Sequence, residues 1–192
     1  MKKIAFLLIL SSIINTLSAQ DDFALKLSNA AIELTLQKVV YTPDYFVIKY
    51  PGGDVPSNMG VCTDLIIRAY RKLDIDLQQK VHEDMLANFD KYPKIWGLKK
   101  TDSNIDHRRV PNLMTFFNRF GTIKKISKEP NDYIPGDIVV WNLGGAITHI
   151  GIVVNLKSND GKRYLIAHNI GNGQEISDCL FTYKIIGHYF YK

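Results

Sequence analysis

Three residues distant in the chain have the types that nucleophilic catalysis needs: Cys62, His149 and His168. A thiol attacks a carbonyl carbon once its proton has passed to a base. An imidazole can take that proton while a second polar group orients the ring. Cys62 follows the turn-rich run from Pro51 to Asn58 and precedes apolar residues at Leu65, Ile66, Ala69, Tyr70 and Leu73. That three-to-four spacing predicts an amphipathic helix opened by Cys62. The free amides and dipole of a helix start favour an anion, so the thiol pKa is expected to fall. The alternative for Cys62 is a small buried apolar residue.

His149 begins the run His149-Ile150-Gly151-Ile152-Val153-Val154, and His168 ends Tyr164-Leu165-Ile166-Ala167-His168. Ser158-Asn159-Asp160-Gly161 between them reads as a hairpin turn. Antiparallel pairing sets the start of one strand beside the end of the next, so the two imidazoles should meet. His82 and His188 are expected to be ordinary satisfied polar residues. Asp106-His107-Arg108-Arg109 has three uses: a brace for a loop near the cleft, an arginine fork on a substrate carboxylate, or a solvated salt-bridge cluster. Neither His82-Glu83-Asp84 nor Asp106-His107 shows the two-histidine spacing of a zinc hydrolase, so no metal and no cofactor are expected.

The elements that must position these groups fall into two halves. Leu25, Leu27, Ala30, Ala31, Leu34 and Val39 predict a helix from Phe23 to Val40, and Tyr45 to Tyr50 a short strand or extended arm. A helix runs from Cys62 to about Lys72, a second from about Leu77 to Phe89, and a third from near Pro111 to Gly121. From Asp137 onward the runs are short and β-branched: Asp137 to Trp141, His149 to Val154, Tyr164 to His168, and a final strand or pair within Phe181 to Tyr191. Helices first and a meander afterwards predict an α+β fold, with helices packed on an antiparallel sheet.

Composition bounds the function. With 46% hydrophobic and 22% charged residues the 192-residue chain is of ordinary globular type and long enough for one domain with a substantial core. Lys2 and Lys3, an apolar run from Ile4 to Leu10 and a small residue at Ala19 read as a signal peptide over residues 1–19, leaving a single domain over 20–192. The run is short for a membrane span, so no stable membrane insertion is expected after cleavage, and the protein should be exported to the periplasm or the extracellular space. The net charge of +5 includes those two lysines; the remaining charges are interspersed, which argues against a nucleic-acid partner. A monomer is expected. Cys62 and Cys179 are the two cysteines, and a disulfide between them is the alternative use of both in an oxidising compartment.

Pro135-Gly136-Asp137-Ile138-Val139-Val140-Trp141, His149-Ile150-Gly151-Ile152-Val153 and Ile166-Ala167-His168 together resemble the strand core of NlpC-type papain-like cysteine peptidases. Tyr50-Pro51-Gly52-Gly53 followed by Gly60-Val61-Cys62 resembles the turn before their nucleophile. The segments Gly60 to Asp64, Asn104 to Asn112 and His168 to Gly171 are similar to a bacterial domain-of-unknown-function family, family 1287, placed in that superfamily. The resemblance covers nearly the whole chain after the signal, although Val61 stands where aspartate is usual and Thr63 where serine is. It implies a papain-like fold, with Cys62 as nucleophile, His149 as base and His168 as orienting residue. It also implies that Tyr50 helps line the oxyanion site, and Asn169 is an alternative third member. Nucleophile before base is the order of the peptidase branch. The implied function is cleavage of an amide bond in peptidoglycan peptides through an acyl-enzyme. A non-catalytic wall-binding module, or acyl transfer by the same residues, is the alternative.

Overall fold

The computed structural model describes residues 22–192. The signal peptide expected over residues 1–19 lies outside the described residues. Among them are four α-helices and a six-stranded antiparallel sheet, the mixed α+β arrangement expected from helices first and strands afterwards.

The first helix, α1 (22–35), buries Leu27, Ala30, Ala31 and Leu34, a stripe at three-to-four spacing. It ends short of the expected Val40, because Val40–Tyr41 forms a strand, β1, paired in parallel with β2 (Met59–Gly60). The stretch from Tyr45 to Tyr50 is irregular rather than a strand. Its backbone is held by side chains, Asn104 accepting from the Ile48 amide at 2.9 Å.

Helix α2 (Cys62–Arg71) is the centre of the molecule, with every residue from Cys62 to Tyr70 buried. A helix covered on all sides must satisfy its polar groups internally. Arg68 does so on Asp54 at 2.8 Å and on the Met59 carbonyl at 3.0 Å. Asp64 accepts the Val61 amide at 2.7 Å, which caps the helix start. Helix α3 (Leu77–Ala87) is capped by Asp76, which accepts from the Gln78 amide. Helix α4 (Val110–Phe120) begins with Pro111 in its first turn and ends at Gly121.

The sheet has the order β3-β8-β4-β5-β6-β7. Its strands are β3 (Thr122–Ile123), β4 (Ile138–Gly144), β5 (Ile147–Lys157), β6 (Tyr164–Ile170), β7 (Gly173–Ser177) and β8 (Lys184–Phe190). Alternation along the strands divides the core in two. Ile138, Val140, Ile150, Ile152, Val154 and Ala167 pack with the helices and with Cys62. Val139, Trp141, Val153 and Ile166 face the other way, against Tyr133 and Leu180. Each fully buried aliphatic side chain of this kind is worth about 1.5–3 kcal/mol. No helix among the described residues is long and apolar enough to cross a membrane.

Candidate active site

Cys62 is the first residue of α2 and is 5% exposed. Its sulfur faces the main-chain amides of Ile150, Thr63 and Cys62 itself, so the helix start does present donors to it. The expected fall in thiol pKa nevertheless does not follow. Burial outweighs those donors, the Asp64 carboxylate adds repulsion, and the Cys62 thiol is pushed up to about 12. Local geometry favoured the anion; the packing around it favours the proton.

His149 and His168 are brought together as antiparallel pairing requires, His149 Nε2 lying 2.9 Å from His168 Nδ1. Both rings are 3% exposed. Burial lowers their pKa values, to about 3 for His149 and about 4 for His168, so both are neutral at pH 7. Gly151 makes room for the pair: a Cβ there would meet Ile166 Cγ2 at 2.6 Å and His168 Cβ at 3.3 Å. His168 continues outward through Nε2, 2.6 Å from Ser177 Oγ and 3.7 Å from Cys179 Sγ. Ser177 has no place in the sequence-based expectation, because the short β7 carries no strand signal strong enough to separate it from a loop, and Cys179 enters there only as a disulfide partner.

Cys62 meets β5 without meeting the His149 imidazole. The thiol's neighbour is the Ile150 amide, whereas the His149 ring shares the parity of Val153 and lies 5.9 Å from Trp141. No hydrogen bond joins Cys62 to His149 among the described residues. Both cysteines are free, and they sit in the clusters on opposite faces of the sheet, so the disulfide alternative finds no support in the packing.

A cleft of about 310 Å³ opens beside Cys62, lined among others by Tyr41, Trp96, Arg109, Pro111 and Thr148. Of the expected binding residues, Tyr50 is not part of that lining. Its ring packs edge-on against His82 at 5.0 Å. Tyr41 takes the place beside the thiol, close enough for Cys62 and Asp64 to raise its phenol pKa after burial does. The β1–β2 ladder puts it there, pairing Tyr41 with Gly60 two residues before the cysteine.

Asp106, His107 and Arg108 are buried in the scaffold, which is the brace reading of that segment. Arg108 spans Asp64 through Nε at 2.9 Å and Nη2 at 3.2 Å, and donates to the Asp44 carbonyl. Its guanidinium is thereby committed, although its side chain reaches the cleft wall. Asp106 pairs with His82 Nδ1 at 2.8 Å and accepts the Asp102 amide, while burial raises its pKa. Burial holds His107 near pKa 3, with Nδ1 unpartnered. His188 is a satisfied structural residue, as expected, held by Asp137 Oδ2 and the Lys125 carbonyl at 2.8 Å each. Asn169 donates to the Gly60 carbonyl at 3.2 Å and holds the turn before Cys62 to β6; its Oδ1 is buried without a partner.

Residues 28–191 match the family described as "Domain of unknown function (DUF1287)". The chain is 52% identical over 151 residues to the "Uncharacterized protein YijF" of Escherichia coli (strain K12), covering 79% of this chain and 73% of that protein. A family match running through both the helices and the sheet leaves one assignment: the chain belongs to the DUF1287 family.

Proposed function

We propose that this protein is an exported thiol hydrolase of papain-like type that cleaves an amide bond in peptidoglycan peptides. The observation that carries the reading is the position of Cys62. It opens a buried helix in the wall of a cleft, packed against β5, the strand that carries His149, which is linked in turn to His168 of β6. The signal-like first nineteen residues support export, and the resemblance to NlpC-type peptidases supports the substrate class.

In this reading the thiol rests protonated and loses its proton as it attacks. Cys62 Sγ bonds to the substrate carbonyl carbon, and the S–H proton passes to His149 once the thiol and the imidazole have been brought within reach of each other. Nε2 of His149 is held by His168, which leaves Nδ1 as the proton acceptor. The amides of Cys62 and Thr63 at the helix start face the developing oxyanion. The imidazolium protonates the leaving amine as the C–N bond breaks, and water then hydrolyses the thioester to a carboxylate and restores the thiol. Because the thiol meets the Ile150 amide on the helix side of the sheet while the His149 ring shares the parity of Val153, substrate binding has to draw the sulfur off that amide and turn the imidazole toward it.

Incubation of the purified protein with muropeptides, read by mass spectrometry beside Cys62→Ala, tests the reading. A cleavage product from the parent protein alone is expected, with at least a 1,000-fold loss in the variant; equal product from both would refute it.

The unlinked, protonated thiol favours a second reading, a wall-binding module using the same cleft. It requires muropeptide binding of equal strength in the parent and Cys62→Ala proteins, with no product from either.

A further inference from the structure

The cleft beside Cys62 carries a cation that has no carboxylate in salt-bridge contact among the described residues. Arg109 precedes α4, and its guanidinium lies over the Trp96 ring, 4.2 Å from the centroid. Its Nη1 is buried without a hydrogen-bond partner. The acidic groups nearby are already engaged: Asp64 by Arg108, Asp106 by His82, and Asp102 by Tyr45 and Asn104. No carboxylate pairs with Arg109, and no acidic side chain lines the cleft, among the described residues. Leaving Nη1 buried without a hydrogen bond opposes folding, and although the Asp106 and Asp102 charges favour the cation from a distance, an anion in the cleft would supply the missing acceptor.

The surroundings select the kind of anion. The indole holds the guanidinium plane in one orientation, which leaves its edge as a two-pronged donor. Val110 and Pro111, the first residues of α4, line the same cleft, so the positive end of that helix faces the space as well. A planar, two-oxygen acceptor matches a fixed fork. Tyr41, Thr148 and Cys62 add neutral groups to the lining, and Arg108, committed to Asp64, adds no acceptor, so the cationic end and the thiol share one small space.

We propose that Arg109 is the specificity-determining residue of the cleft, binding a free carboxylate of the substrate peptide while the neighbouring amide is presented to Cys62. This rests on the hydrolase reading above and adds the substrate class, a peptide with a free carboxylate close to the scissile bond. The anion site is separately measurable.

The test compares one stem-peptide muropeptide carrying free carboxylates with the same compound converted to carboxamides. Cleavage is measured for the parent, Arg109→Gln and Arg109→Lys proteins. Binding of both compounds is measured by calorimetry in Cys62→Ala, with and without Arg109→Gln. The expected result is a preference for the free acid of roughly 10- to 100-fold in kcat/KM, the strength of a charge-assisted pair. Arg109→Gln should bring that ratio to about 1, and Arg109→Lys should restore part of it. A structural role for Arg109 would lower both compounds alike and keep the ratio, which overturns the proposal. So would a parent protein that neither prefers the acid in cleavage nor binds it more tightly. Preferential binding of the acid, abolished by Arg109→Gln but without cleavage by any protein, would uphold the anion site and remove the hydrolase reading. Cleavage of both compounds at equal rates would do the reverse.

Discussion

At the scale of the residue, the behaviour of Cys62 is decided by a contest of magnitudes. Helix-start amides and dipole favour a thiolate by about 1 kcal/mol or less. Removal of a charge from water costs several kcal/mol. The second term wins, and the thiol stands at about 12. The thiolate fraction then grows tenfold per pH unit up to that value. Alkylation of Cys62 by iodoacetamide should be slow at pH 8, with a logarithmic rate that climbs at a slope near one to at least pH 10. A plateau below pH 8.5 would show a depressed thiol and refute the buried, protonated resting state. Slow alkylation is therefore not a sign of an inert site; product formation is the decisive readout.

At the scale of the element, the site depends on how α2 is pinned to the segment before α4. Asp64 in the first turn of α2 and Arg108 ahead of α4 form an ion pair with both side chains 3% exposed. The same carboxylate caps the Val61 amide, and Thr63 Oγ1 donates to the Arg108 carbonyl at 3.0 Å. One cluster thus fixes the helix start that carries Cys62 and the chain that carries Arg109. Removing one partner leaves a buried charge, at a cost of about 3–5 kcal/mol. Arg108→Gln and Asp64→Asn should each lower stability by that amount in urea titrations, and the double variant by clearly less than the sum. A loss under 1 kcal/mol for Arg108→Gln would show that the pair does not hold the site together.

At the scale of the whole molecule, several buried histidines make stability depend on pH. His107, His149 and His168 have folded pKa values of about 3, 3 and 4, below an unfolded value near 6.5. The unfolded chain therefore binds more protons between pH 6.5 and pH 4. Stability is fully present above pH 6.5 and is lost as pH falls toward the folded values. The loss at pH 5 is on the order of 2 kcal/mol for each histidine. Urea midpoints should fall steadily from pH 7.5 to pH 5, and His149→Gln and His168→Gln should each flatten that slope. Midpoints independent of pH over this range would contradict neutral burial of the three rings.

Much of the architecture was legible along the chain, because periodicity is a local property. The apolar spacing after Cys62 marked α2, and the β-branched runs around Asp160-Gly161 marked β5 and β6, so the meeting of His149 and His168 followed from strand pairing alone. What stayed hidden depends on non-local contacts. Arg108 and Arg109 are adjacent and of one type; only the position of Asp64 and Trp96 in space makes the first a brace and stacks the second on an indole at the cleft. Tyr41 stands just beyond the expected helix, and the β1–β2 ladder, two residues long, leaves no pattern by which to find it. Tyr50 had the motif position but packs on His82 instead. The sequence alone determined which elements form and which chemical groups they carry, since propensity and spacing act over a few residues. Only the tertiary structure decided the protonation of Cys62 and which side chains face it, since desolvation and charge pairing are set by everything packed around them.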